Sequence, residues 1–385
     1  MWRTGSSVRS LSRIALIAVA ACSQSAVDGT APTVSTSDVS TSVRWNRRAV
    51  ALVVARQPAS NGQAAVSRIL TYVSIAQYRA ARTAAGDARH PSVSAAIGAA
   101  STVVLNSFFP LDVATTEAQL NGDLAIPPWP GAPVEDAAVG EALGRVIGNQ
   151  VVAEAVGDNY LALAPSAVPT GVGRWTPSTA AIVRSLYGTR AFFLTSPDQL
   201  RPPPPPAYDS PAFKDALAEV RRISDTRTAE QTQIAINWNT SSGTFTAGAL
   251  NFIVDSILQE RRVPELEASR ILAVANAATF DAQIACWDAK FTYWFIRPSQ
   301  ADPGITMPIA LPNHPSYPSG HSCMTGAMLG VVADAFPADR ARLDAMVQEA
   351  GMSRVYGGIH YRFDIDAGRD IGRAAAALAL KGTLK

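Results

Sequence analysis

Apolar residues recur at helical spacing along most of this 385-residue chain, and nowhere do apolar and polar residues alternate long enough to suggest a sheet. The i, i+3, i+4 recurrence predicts helices near 44–57, 60–85, 91–108 and 134–163, punctuated by Gly or Pro. It resumes at 211–223, 227–238, 244–261 and 264–296, and again at 320–335, 338–350 and 357–381. Between the two groups, residues 164–210 are irregular and proline-rich, ending in RPPPPPAYDSP (201–211). Five consecutive prolines cannot be helix and make a stiff extended strap. The pattern predicts an all-α fold, a helical bundle with a proline-rich belt.

The first residues break this pattern. Arg3, Arg9 and Arg13 precede a short apolar stretch, IALIAVAA (14–21), which ends at Cys22. That is a basic region followed by an apolar one too short to span a bilayer, which needs ~20 residues. The residues VAAC (19–22) resemble a bacterial lipobox, with Cys22 as the lipidated residue. An ordinary secretory signal with an incidental cysteine is the alternative, and either reading places the protein outside the cytosol. The expected organisation is a lipoprotein signal peptide over 1–21, a small, polar, disordered tether over 22–43 and a helical domain over 44–385, with an active-site core at about 240–385. Membrane contact would come from the lipid anchor alone, facing the periplasm.

Charge narrows the partners. Lys and Arg number 33 and Asp and Glu 31, for a net charge of +2, which argues against a nucleic-acid surface. Oligomeric state is not legible. Besides Cys22, only Cys286 and Cys323 occur; an oxidising compartment allows a disulfide, and two free buried thiols are the plainer expectation.

Three segments in the last third carry candidate chemistry. In DAKFTYWFIRPSQ (288–300), Lys290 and Arg297 are seven apart, so on a continuous helix they lie ~20° from each other, with Pro298 ending that helix. Two cations among Phe291, Tyr293, Trp294, Phe295 and Ile296 are hard to solvate and suggest an anionic partner. In NHPSYPSGHS (313–322), Ser319 can cap a helix or donate its hydroxyl, and Gly320 lets a backbone N–H approach a ligand. His321 can move a proton. In SRVYGGIHYRFDIDAG (353–368), Arg354 precedes a Gly357–Gly358 turn, and His360 opens the next helix with Asp364 one turn later, spaced to hold one ring nitrogen.

Each segment alone has a plainer reading: snorkelling surface cations, a capping turn, a core histidine satisfied by a local acid. Their company weakens those readings. The chain has only four histidines, and His314, His321 and His360 fall beside these cations, while His90 stands apart. Lys290, Arg297 and Arg354 match the charge of a tetrahedral oxyanion, and guanidinium forks suit its oxygens. No Asp/Glu cluster offers a divalent cation a home.

Lys290-x6-Arg297-Pro298, Pro318-Ser319-Gly320-His321 and Ser353-Arg354-x5-His360-x3-Asp364, in that order, resemble the three-part signature shared by type 2 phosphatidic acid phosphatases (PAP2), bacterial acid phosphatases and vanadium-dependent haloperoxidases. The resemblance implies a helical bundle in which Lys290, Arg297, Ser319, Gly320 and Arg354 hold vanadate or phosphate. It implies His360 as the residue bonded to vanadium or phosphorus and His321 as the acid/base. GRWTPSTA (173–180), residues 192–213 and RTAEQTQIAINWN (227–239) resemble the upstream half of bacterial haloperoxidase-like proteins. His314 stands where algal bromoperoxidases have histidine, whereas the Lys-x6-Arg spacing is that of chloroperoxidases and phosphatases. The implied activity is halide oxidation by hydrogen peroxide with vanadate as cofactor. The alternative is hydrolysis of a small phosphate ester through a phosphohistidine, and a non-catalytic oxyanion-binding lipoprotein is a third reading.

Overall fold

The computed structural model describes residues 39–56, 62–127, 134–162, 167–178, 186–240 and 243–384. Cys22, the expected signal segment and nearly all of the expected tether lie outside the described residues. Thirteen α-helices follow in order among those described: α1 (Thr41–Arg56), α2 (Gly62–Ala85), α3 (Val93–Phe108), α4 (Val113–Leu124), α5 (Ala137–Val156), α6 (Pro211–Thr226), α7 (Ala229–Asn237), α8 (Phe245–Glu260), α9 (Glu265–Tyr293), α10 (Pro298–Ala301), α11 (Gly320–Ala335), α12 (Arg340–Tyr356) and α13 (Arg362–Lys381). No strand occurs among the described residues, only isolated bridges. No described helix is long and apolar enough to cross a membrane.

The helix α9 is buried on nearly every side from Ala268 to Lys290, which marks a central position. It packs against α2, α11 and α13, and α3 joins through α2 and α5. Small residues set how closely these helices approach. A Cβ on Gly368 of α13 would sit 2.5 Å from the carbonyl oxygen of Ser319, so only glycine lets α13 press against the start of α11.

Two features away from the candidate site depart from the expected pattern. The helix α1 opens at Thr41, inside the span expected as tether, because Glu265 of α9 accepts the N–H groups of Thr41 (2.6 Å) and Ser42 (2.9 Å) and caps it. The helix α4 was not foreseen: only Thr116 and Leu120 of its residues are buried, so it has almost no apolar stripe to read.

The belt lies on α9. Asp281 accepts the N–H groups of Phe192 (2.8 Å), Phe193 (2.6 Å) and Leu194 (3.1 Å). Arg201 forms a two-pronged pair with Asp288 at 2.7 and 2.9 Å. Upstream, Trp175 donates its N–H to the carbonyl of Trp294 (2.8 Å) and Gly173 accepts from Ile296 (3.1 Å), which ties the belt to the chain leaving α9.

Candidate active site

The chain brings its three candidate segments together at one end of α9. Lys290 lies in the last turn of that helix, but Arg297 does not share its face. The helix ends at Tyr293 because Trp294 adopts a left-handed conformation (φ 51°, ψ 38°), four residues before Pro298. Pro298 then opens α10 instead of closing α9, and Arg297 is extended (φ −80°, ψ 153°) as a residue before proline must be. The reversal at Trp294 still delivers both cations to one loop. Arg297 Nε donates to the carbonyl of His314 at 3.0 Å, and Lys290 Nζ donates to those of Pro315 and Ser316, each at 2.9 Å, and of Pro318. All three ammonium protons therefore hold the 315–318 loop, so Lys290 would serve an anion only through its charge and its grip on that loop.

Arg354 also sits inside a helix, α12, which runs to Tyr356 and beyond its expected end. Its Nε donates to Ser353 Oγ (2.9 Å) and its Nη2 to the carbonyl of Ala235 (2.7 Å). The Gly357–Gly358 turn follows, with Gly358 at φ 72°, where its missing Cβ matters. His360 lies just ahead of α13, which begins at Arg362 and not at 357.

Asp364 fixes His360. Its Oδ2 accepts His360 Nδ1–H at 2.7 Å, Ser316 Oγ–H at 2.6 Å and the N–H of Tyr361 at 3.1 Å. With Nδ1 protonated, Nε2 presents its lone pair, and Arg297 Nη1 stands 3.0 Å from it. Arg297 Nη2 likewise donates to His314 Nδ1 at 3.0 Å. Burial, then the charges of Lys290 and Arg297, hold the partly buried His314 ring well below the usual imidazole range, which disfavours its protonated form. Its ring packs against Trp287, centroids 5.4 Å apart.

Ser319 occupies the N-cap position of α11 but caps nothing: its hydroxyl is buried and has no partner. Gly320 follows with Trp287 against it, where a Cβ would lie 3.2 Å from the indole ring. His321 donates Nε2–H to the carbonyl of Trp238 at 2.9 Å, with Thr246 Oγ1 at 3.2 Å, which leaves Nδ1 as its free lone pair. Cys286 and Cys323 are free buried thiols, as the plainer expectation had it.

The electrostatics of this cluster are lopsided. Lys290, Arg297 and Arg354 are at most 1% exposed, and Asp364 is the one carboxylate buried among them. Burial lowers Lys290 to about 8, Arg297 to about 10 and Arg354 to about 9. Burial raises Asp364 to about 6, and burial with neighbouring cations holds His321 and His360 well below their ordinary range. Buried charge without a counter-charge is costly, several kcal/mol per ion in order of magnitude. Three cations, one carboxylate, an unpartnered serine hydroxyl and the free N–H groups of a helix start together fit a polyanionic tetrahedral group.

The family comparison agrees. Residues 268–385 match the model of the PAP2 superfamily, a span that contains every candidate residue except Cys22. This region is similar to the PAP2 superfamily. Its relatives include the non-specific acid phosphatase of Providencia stuartii, 26% identical over 179 residues, or 46% of this chain and 71% of that protein. The fold extends further. The crystal structure of the first bacterial vanadium-dependent iodoperoxidase superposes with a TM-score of 0.76 at 22% identity, covering 90% of this chain and 97% of that one. An apo-type bacterial vanadium-dependent chloroperoxidase superposes with a TM-score of 0.66 at 15% identity, covering 86% and 96%. The PAP2-type helical fold with its upstream half is therefore shared with vanadium haloperoxidases.

Sequence reasoning passed over Ser316, whose hydroxyl shares Oδ2 of Asp364 with His360, although it lies within the quoted NHPSYPSGHS. Trp287 was missed too; its position three residues before Lys290, on the same side of α9, was the available signal.

Proposed function

We propose that this protein is a vanadate-dependent haloperoxidase that oxidises halide with hydrogen peroxide. The observation that supports it is the excess of buried cations around a neutral His360 Nε2 and an unpartnered Ser319 hydroxyl. Vanadate, when bound, activates hydrogen peroxide toward halide without changing its own oxidation state. The protein's part is electrostatic and geometric. Lys290, Arg297 and Arg354 supply the compensating charge, Ser319 and the first N–H groups of α11 donate hydrogen bonds, and Asp364 holds His360 with Nε2 toward the oxyanion. His321, with Nε2 held by the carbonyl of Trp238, would move the proton through Nδ1. Burial first and Arg354 second disfavour its imidazolium, and a bound anion would offset the second of these.

Exposure favours small reactants. Of these residues only His314 and His321 are more than slightly exposed, which favours the reading with small reactants, halide and peroxide. The second reading, a phosphatase acting through a phosphohistidine at His360, is supported by the match to the Providencia acid phosphatase. The same site serves both, because a cage for a five-coordinate phosphorus also suits vanadate. The experiment is to measure bromide and iodide oxidation with and without orthovanadate, beside phosphate release from an aryl phosphate, using His360→Ala as control. The proposal includes cleavage after residue 21 and lipidation of Cys22, which would hold the domain outside the cytosol by the segment between Cys22 and the start of α1 at Thr41.

A further inference from the structure

Pro202 to Pro206 offer the fold carbonyl oxygens but no N–H groups, so anything that holds this strap by its backbone must be a donor. Two such donors arrive side by side. Tyr293 Oη–H donates to the carbonyl of Pro202 at 2.6 Å, and Tyr317 Oη–H to that of Pro203 at 2.7 Å. The two rings meet edge to face with centroids 5.6 Å apart.

Their positions in the chain matter. Tyr293 is the last residue of α9, three after Lys290, and Tyr317 lies two before Ser319. The loop around Tyr317 is pinned from within: Lys290 takes the carbonyls of Pro315, Ser316 and Pro318, Ser316 bonds Phe295 and Asp364, and the N–H of Ser319 donates to the carbonyl of Asp364 at 2.9 Å. Tyr317 ties it to the strap outside. The strap can serve as a reference because polyproline loses little freedom on folding and because the Arg201–Asp288 pair fastens its leading end to α9.

We infer that the pentaproline strap is a splint for the oxyanion site, and that Tyr317 is the positioning residue that transmits it to Ser319. Tyr317 touches no reacting group; it sets where the Ser319 hydroxyl and the start of α11 stand relative to Lys290 and His360. The inference rests on the oxyanion reading above, and its test reads binding, not turnover.

The test compares the dissociation constant of inorganic phosphate for the wild type and Tyr317→Phe by calorimetry, well below the melting temperature of both. Tyr317→Phe removes one hydroxyl and keeps the ring, so the expected result is phosphate binding weaker by roughly 3- to 10-fold. A residue that only stabilises the fold would lower the melting temperature and leave the dissociation constant within twofold, and that result overturns the inference. Should Tyr317→Phe fail to fold, Tyr293→Phe, which releases the adjoining carbonyl, is judged by the same criterion. A wild type that binds no phosphate or orthovanadate overturns the oxyanion reading and the splint with it. A wild type that binds phosphate while the variant matches it overturns the splint alone.

Discussion

Oδ2 of Asp364 accepts the Nδ1–H of His360 across 2.7 Å while both side chains are buried, so the carboxylate decides which ring nitrogen faces the cations. The order of two substitutions follows. His360→Ala removes the proposed attachment atom and should cost roughly 10³-fold or more in turnover with the fold retained, as circular dichroism would check. Asp364→Asn keeps the ring but loosens it, with an expected loss of ~10–100-fold in kcat. It should also lower the melting temperature, because Ser316 and Tyr361 share the same oxygen. Equal activity of Asp364→Asn and wild type would remove the orienting role.

Lys290 predicts a pH limb. Burial lowers its ammonium to about 8, and the protonated form is the one that attracts an anion. Phosphate affinity should therefore begin to fall as pH rises through about 8, ahead of the losses expected from Arg354 at about 9 and Arg297 at about 10. Lys290→Met should bind phosphate roughly 30-fold more weakly at neutral pH and lose that limb. It should also melt lower, since three loop carbonyls lose their donor. Calorimetric titration across pH 6–10 checks the sign, and a mutant that keeps the limb would assign it to another group.

His314→Phe should leave oxyanion binding within about threefold and change the KM for halide by more than that, because His314 borders Arg297 through Nδ1 without offering the site a charge of its own. Iodide and bromide kinetics at saturating orthovanadate decide it. Unchanged halide kinetics would make His314 a loop residue, and loss of orthovanadate binding would move it into the cage.

Much of the site was legible because its chemistry is local in sequence. The His360–Asp364 pair needs only a helix start, and Ser319-Gly320-His321 only a loop entering a helix. Lys290 and Arg297 were read as one helical face because nothing in FTYWFIRP announces that Trp294 will turn left-handed. The convergence is real; its cause is a reversal. The same holds for α4, which is held by Thr116, Asn106 and the Glu117–Arg145 pair and so shows little apolar period. The tyrosine contacts to the strap join residues 91 and 114 apart in the chain, a distance at which periodicity says nothing.

Cys22→Ser should shift the protein from the membrane fraction to the soluble one or stall its processing, as fractionation and mass spectrometry of the mature N-terminus would show. A wild type that is fully soluble and cleaved elsewhere would remove the anchor and leave the enzyme reading intact.

One oxyanion cage is proposed to run vanadate-dependent halide oxidation. Purified protein, stripped of phosphate and titrated with orthovanadate, should oxidise iodide or bromide with hydrogen peroxide in proportion to the orthovanadate bound. Added phosphate should inhibit competitively, and His360→Ala should show no such activity. Efficient hydrolysis of an aryl phosphate with no orthovanadate-dependent halide oxidation would contradict the account and make this protein a phosphatase.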